Sequence, residues 1–240
     1  MKSVEPNART VGSRLVRILV GVAIALGVLA GGFGVLIWML GERETLYQGK
    51  SCYYWSEQLK SQNPGVTNQA SLVLNSEIIP RLTKTLLEDT NDSGLRITLV
   101  EKLNGLPGVN ILFRTADLRR GDAAIALGQF GPQAEAAVPT LVQVLQGHDS
   151  AVRGPAVVSL GHIRAKPEIV IPSLIPCLDD NDLREAALEA LGEYGSRAKV
   201  VIPKLLLLFK VRDKDLHHAV EEALKNIDPD VAAQARAESF

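Results

Sequence analysis

Two hydrophobic patterns divide the chain. From Ile18 to Gly41 no residue is charged across 24 positions, whereas from about residue 116 onward apolar residues recur at helical spacing between polar ones. About 20 apolar residues are enough for a helix to cross a bilayer. The patterns therefore predict an all-α protein, with a transmembrane helix over 18–41 and amphipathic helices in the C-terminal half.

The charges that flank the uncharged stretch predict its orientation. Four basic residues precede it and three lie in the twenty residues after it: Lys2, Arg9, Arg14 and Arg17, then Arg43, Lys50 and Lys60. By the positive-inside rule, the tail of residues 1–17 is cytoplasmic and the C-terminal domain is exported. The alternative is a signal peptide cleaved near the small residues Ala30, Gly31 and Gly32. The stretch exceeds the about 7–15 apolar residues of a signal sequence, which favours an anchor.

Small residues recur within the predicted span. Ala23, Gly27 and Gly31 are spaced by four, so they share one helix face. Such a face lets two membrane helices approach closely and drives dimers, which makes a homo-oligomer a possible state. The alternative is that glycine is simply common in membrane helices.

The C-terminal half repeats itself. Leucines recur at intervals of 33, 31 and 33 residues and prolines at 33 and 31: Leu127, Leu160, Leu191 and Leu224, with Pro139, Pro172 and Pro203. Two apolar-striped segments in each period predict a helical-hairpin solenoid over 116–240. Glycines such as Gly192 and Gly195 end the first helix of a repeat, and the repeated proline begins the second.

Two polar positions keep the same period. An aspartate lies eleven residues before the repeat leucine and an arginine or histidine lies seven before it: Asp149, Asp180 and Asp213, with Arg120, Arg153, Arg184 and His217. One interpretation is a ladder, in which each aspartate caps a helix and bonds to the arginine one repeat away. The other is a charged concave strip that binds a partner.

The repeats resemble HEAT-like repeats of the phycobilisome-lyase type. The resemblance rests on the segments VRGPAVVSLGHI, LREAALEALGEYG, VIPSLIPCL and VIPKLLLLF, and extends from about Ala116 to Ala235. It implies an α-α superhelix. It implies little about activity, because this architecture serves lyases, scaffolds and adaptors alike.

The region of residues 42–115 is less regular. The segment 78–90, IIPRLTKTLLEDT, is similar to the proline-started second helix of a repeat, and a helix is expected around 95–103 before a GLPG turn. This membrane-proximal region is therefore interpreted as helical, with a degenerate first repeat and an insertion.

Charge and composition narrow the chemistry. The net charge is −1 over the whole chain, and residues 18–240 carry 22 basic and 26 acidic side chains. This balance argues against nucleic-acid binding. Two cysteines cannot complete a four-ligand zinc site. None of the four histidines is followed by a glutamate, so the chain has no repeated His-Glu pairs that could bind metal. We therefore expect no catalytic residues, no metal and no cofactor.

The expected function is a membrane-anchored scaffold or adaptor that binds protein partners through its solenoid. Two alternatives remain at this stage. One is a chromophore-lyase-like enzyme, as the resemblance implies. The other is a structural membrane protein that associates with itself.

Overall fold

A computed structural model describes residues 45–90, 92–211 and 213–238. Regular structure in these ranges is helical, and the only strand-like pairing there is a bridge between Tyr47 and Lys50. Gln48 and Gly49 form the turn of that bridge with positive φ angles of 51° and 75°. Trp55 donates its indole N–H to the Tyr47 carbonyl at 2.9 Å. Burial raises the pKa of the Tyr47 hydroxyl to about 12.

The helices before the repeats lie in two compact units. Residues 93–113 belong to one unit, which holds α4 (Gly94–Asn104). The other contains the described residues up to 92 and from 114 onward. It begins with α1 (Cys52–Leu59), α2 (Pro64–Val73) and α3 (Ile79–Glu88).

The proline-started segment of residues 78–90 contains α3. No turn separates α2 from α3, because a π-helical segment, Leu74–Ile78, connects them with helical backbone angles on both sides. This part therefore lacks the hairpin of the later repeats. Helix α3 packs directly against α5.

Four helical pairs follow, in the period that the sequence predicts. The first helix of each pair is α5 (Ala116–Gln129), α7 (Ser150–Ile163), α9 (Arg184–Glu193) or α11 (Lys214–Ile227). The second is α6 (Val138–Leu145), α8 (Pro167–Leu174), α10 (Ile202–Phe209) or α12 (Pro229–Glu238). The repeat leucines Leu127, Leu160, Leu191 and Leu224 are all fully buried.

The predicted role of the repeated proline holds in the first and third hairpins and is wrong in the second. Pro139 and Pro203 lie in the first turn of α6 and α10, where the missing N–H costs nothing. Pro172 lies inside α8, which begins earlier at Pro167. The difference arises in the turn, because a 3-10 helix precedes α6 and α10 whereas α8 follows a short left-handed connection.

That turn has a defined backbone requirement. Gly131 and Gly195 both have φ near 56°, in the left-handed region where a side chain is strained. The same repeat position in the middle hairpin holds Arg164, with φ 52°, and Lys166 follows at 48°. The turn after α7 therefore keeps the left-handed conformation without glycine, the residue that best tolerates it.

The predicted membrane segment lies outside the described residues. So do the small-residue face of Ala23, Gly27 and Gly31 and the basic tail of residues 1–17. Among the helices that are described, none combines the length and the hydropathy needed to cross a bilayer.

Candidate functional site

The first helices of successive repeats stack on one another. We call these contacts junctions: α5 with α7 is the first junction, α7 with α9 the second, and α9 with α11 the third. The predicted aspartates and arginines lie at these junctions, so each can be placed in turn.

At the first junction, Asp149 contacts both helices. Its carboxylate accepts the Ala151 amide N–H at 3.1 Å, which caps the start of α7. The same carboxylate accepts a bond of 2.6 Å from Nη1 of Arg120 on α5. Arg120 also donates its Nε to the Leu86 carbonyl at the end of α3. One arginine thus joins the preceding helix to the cap of the next repeat.

The second junction repeats half of this arrangement. Arg153 donates Nη1 to Asp180 at 2.9 Å, and Asp180 accepts the Asp182 amide N–H at 3.1 Å. The Arg153 Nε atom is buried without a hydrogen-bond partner. The Arg153 guanidinium therefore bonds to Asp180 but not to a backbone carbonyl, unlike the guanidinium of Arg120.

The third junction has no such ion pair. Arg184 donates its Nε to the Leu178 carbonyl at 2.8 Å, and no ion pair joins Arg184 to Asp213 within the described ranges. Asp213 instead caps α11 through the amide N–H groups of Asp215 and Leu216. His217, at the arginine position, stacks on the Phe209 ring with centroids 3.7 Å apart.

These contacts share a target that the sequence analysis missed. Leu86, Leu178 and Phe209 each lie six residues after a repeat-type proline. Leu86 and Phe209 lie in the last turns of α3 and α10, and Leu178 lies in the 3-10 turn that follows α8. In three repeats, the residue at the arginine position contacts this residue, through a carbonyl or a ring. The common spacing from the proline was the available signal.

A second arginine extends the network at the start of the array. Arg119 binds Asp89 through Nε and Nη2, at 2.7 and 2.8 Å, and lies 3.2 Å from Asp92. The hydrogen bonds from Arg119 hold the pKa of Asp89 below its usual range. Asp92 also accepts the Ala116 amide N–H at 2.7 Å, at the start of α5.

Glycines set how closely the junctions approach. A Cβ at Gly128 would lie 2.9 Å from the Cα of Ser159, and a Cβ at Gly161 would lie 2.8 Å from that of Ala190. Real Cβ atoms essentially never come this close, so both junctions depend on glycine. At the third junction, a Cβ at Gly192 would lie 3.6 Å from the Cα of Ala223, the residue in the same repeat position. From the sequence, Gly192 was expected only to end its helix, and the part that glycines play in helix contact was not predicted.

The wider third junction holds a groove of about 430 Å³ between α9 and α11. Apolar side chains of Leu188, Ala219 and Ala223 contribute to its lining. Polar residues complete the lining. They are His218, Asn226 and five carboxylates: Glu185, Glu189, Glu193, Asp215 and Glu222. No lysine or arginine is among these lining residues, so the groove is acidic, with Leu188 and Ala223 buried at its base.

The described residues form neither a metal site nor an activated thiol at Cys177. Over residues 45–90, 92–211 and 213–238, no three histidine, cysteine, aspartate or glutamate side chains form a group that could hold a metal ion. Burial raises the pKa of the Cys177 thiol, which keeps it in the unreactive protonated form.

Comparison with known proteins agrees with the repeat architecture. Residues 115–192 match the family model of HEAT repeats, over the first two hairpins and the start of the third. No match was found among curated proteins. This part of the chain is therefore a HEAT-repeat region, and the finding carries no activity with it.

Proposed function

We propose that the protein is a non-catalytic scaffold that binds a protein partner in the acidic groove of the third junction. The observation that carries the proposal is the acidic groove beside the contact between α9 and α11, the junction where the approach at the repeat glycine is least tight. HEAT repeats are extended stacks of helices whose surfaces bind other proteins, which supports this assignment.

The lining of the groove indicates the chemistry of its partner. Two of the three apolar lining residues, Leu188 and Ala223, are already buried, so the surface that a partner meets is set by the carboxylates, which favour basic side chains. A partner helix with lysines or arginines along one face meets this requirement. The carboxylates would accelerate association and select the partner.

Site-specific photo-crosslinking in cells tests the binding site. A benzophenone amino acid in place of Glu189 lies in the groove, whereas the same residue in place of the exposed Glu135 lies away from it. We expect a discrete protein adduct from position 189 and none from position 135. The adduct should disappear when Glu185 and Asp215 are both changed to lysine. An adduct that forms equally from both positions, or not at all from position 189, would overturn the proposal.

A membrane location completes the proposal. The uncharged stretch 18–41 would anchor the chain, with residues 1–17 in the cytoplasm and the repeats exported. An anchored scaffold raises the local concentration of whatever it binds. Reporters active on one side of the membrane, fused after Phe240, should report an exported C-terminus. A cytoplasmic signal would reverse this orientation and leave the groove assignment intact.

A further inference from the structure

One carboxylate of the groove already holds a cation from another repeat. The Glu193 carboxylate lies 3.3 Å from Nη1 of Arg164, in an ion pair whose two side chains are about half exposed. Glu193 ends α9, whereas Arg164 directly follows α7 in the preceding hairpin. The pair therefore crosses the second junction, and its acidic member lines the groove of the third.

Glu193 lies where a carboxylate of α9 most needs a cation. The groove carboxylates of this helix, Glu185, Glu189 and Glu193, are spaced by four residues. Glu185 is in the first turn, near the positive end of the helix dipole, whereas Glu193 is the last residue, near the negative end. A cation beside Glu193 offsets its unfavourable interaction with the dipole, and Arg164 supplies that cation within the chain.

The turn that carries Arg164 is held without the Arg164 side chain. The Arg164 carbonyl accepts a hydrogen bond of 3.1 Å from Nη1 of Arg197. The next carbonyl, of Ala165, accepts the hydroxyl O–H of Tyr194 at 2.8 Å. Because these bonds go to backbone carbonyls, the Arg164 guanidinium can leave Glu193 while the left-handed turn stays in place.

We propose that Arg164 is a built-in competitor for the acidic groove, and that a basic partner binds by replacing Arg164 on Glu193. The inference rests on the proposed function, since it requires that a partner enters the groove. The partner would present an arginine or lysine at the carboxyl-terminal end of α9, in addition to cations that meet Glu185 and Glu189. A spacing of four residues places these carboxylates about 6 Å apart along α9, which matches basic residues at the same spacing on a partner helix.

The competition lowers the affinity of every partner and favours those with a cation in the right place. A half-exposed ion pair is weak, so a partner arginine or lysine would displace Arg164 at small cost. A ligand without a cation at this end of the groove would leave Arg164 on Glu193 and gain nothing there. The ion pair of Glu222 is of a different kind, because its partner Lys225 lies three residues later on α11 itself, at 2.8 Å.

Peptide binding to the full chain in micelles of a neutral detergent tests the competition. The probe is a fluorescent, alanine-rich helical peptide with arginine at every fourth position, and the control peptide has glutamine in place of arginine. Arg164→Gly should tighten binding of the arginine peptide about threefold, because Glu193 then has no internal cation. Glycine also suits the left-handed backbone at this position. Fluorescence anisotropy measures the Kd.

Lys166→Gly is the matched control in the same turn. Lys166 also has a left-handed φ, of 48°, and its replacement removes the same single positive charge. Its ion-pair partner, Glu135 at 4.0 Å, does not line the groove, so the Kd should not change. In a Glu193→Gln background, Arg164→Gly should also leave the Kd unchanged, because the carboxylate for which the two cations compete is absent.

The outcomes separate this inference from the proposed function. Suppose that the arginine peptide binds, that Glu185→Lys with Asp215→Lys abolishes its binding, and that Arg164→Gly and Lys166→Gly have the same effect. The competition is then overturned and the groove assignment stands. A tightening by Arg164→Gly that persists in the Glu193→Gln background would also overturn the competition. If the full chain binds the arginine peptide no better than the glutamine peptide, the proposed function fails and the inference fails with it.

Discussion

The second and third junctions use the same repeat positions with opposite results. At the second, Gly161 allows α7 and α9 to touch and Arg153 pairs with Asp180. At the third, Gly192 also faces the next helix, but a Cβ there would lie 3.6 Å from the Cα of Ala223, an ordinary contact, and an acidic groove lies beside the two helices. A conserved period within one chain therefore fixes which residues face each other, but not how closely they approach.

The contrast shows how a solenoid can combine rigidity with a binding surface. At the first two junctions, close helix contact is accompanied by a charged hydrogen bond between the repeats. At the third junction Arg184 and Asp213 form no ion pair within the described residues, and the groove presents five carboxylates and the half-buried Ala219 above a buried Leu188. The proposed site is thus the place where the repeat geometry relaxes.

The largest expected effect on stability comes from a substitution where two helices approach most closely. Gly161→Ala should lower the free energy of unfolding by about 2–3 kcal/mol, because the added Cβ meets the backbone of Ala190. Gly192→Ala should cost less than about 1 kcal/mol, because its nearest neighbour is the flexible end of Asn226. Chemical denaturation followed by circular dichroism measures both values.

Gly154→Ala is the matched control in the same helix as Gly161. A Cβ at position 154 meets nothing within 4 Å, so alanine should stabilise the helix by about 0.5–1 kcal/mol. If Gly161→Ala and Gly154→Ala had the same effect, the distinction between tight and open junctions would fail.

The next effect concerns the ion pair. Arg153→Leu should reduce stability by about 1–2 kcal/mol, since it leaves the partly buried Asp180 carboxylate without its partner. Arg184→Leu should cost about 0.5–1 kcal/mol, because it removes a bond to a carbonyl only. Denaturation of the two variants gives the comparison. In an Asp180→Asn background, the penalty of Arg153→Leu should shrink to that of Arg184→Leu.

A pH-dependent effect is expected at the start of the array. The pKa of Asp89 is lowered in the folded protein, so its bonds to Arg119 stabilise the fold above the ordinary carboxyl pKa of about 4. This contribution is lost as the pH falls through the lowered pKa. Asp89→Asn should therefore cost about 1 kcal/mol near neutral pH and progressively less in acid.

Denaturation midpoints measured between neutral pH and about pH 3 check this sign. Asp117→Asn is the control, because the exposed Asp117 lies 3.9 Å from Arg120 in a weak surface pair. A penalty for Asp89→Asn that stays constant with pH would contradict the assignment.

The smallest effect is in the turn after α7. Arg164→Gly should stabilise the protein by about 0.5 kcal/mol, because it relieves a left-handed residue and removes only an exposed pair with Glu193. The converse change, Gly195→Ala, should destabilise it by about 1 kcal/mol. Thermal unfolding of both variants tests the turn. A loss of stability for Arg164→Gly would mean that the ion pair outweighs the strain.

The sequence predicts the repeat period better than the contacts between repeats. Buried leucines at regular intervals are visible because burial depends on apolar spacing alone. Pro172 misled the prediction of where α8 begins, because Pro167 offers an earlier start that depends on the left-handed turn. The width of the third junction was also beyond prediction, since it depends on how α9 and α11 pack.

The same limit applies to the candidate site. The positions of Asp213 and His217 were visible in the period, but the stacking of His217 on Phe209 requires the end of α10 to be in place. The groove residues lie on two helices about thirty positions apart, and no short motif connects them. Only the structure brings Glu189 and Glu222 to one surface.

The double use of Asp149 has a consequence for folding. Because one carboxylate both starts α7 and holds Arg120 of the preceding repeat, the ordering of each hairpin promotes the ordering of its neighbour. Asp213 starts α11 without such a link to Arg184. Cooperativity should therefore be strong from α5 to α9 and weaker beyond, and we expect the last hairpin to open first, which would let the groove widen around a partner while the rest of the array stays folded.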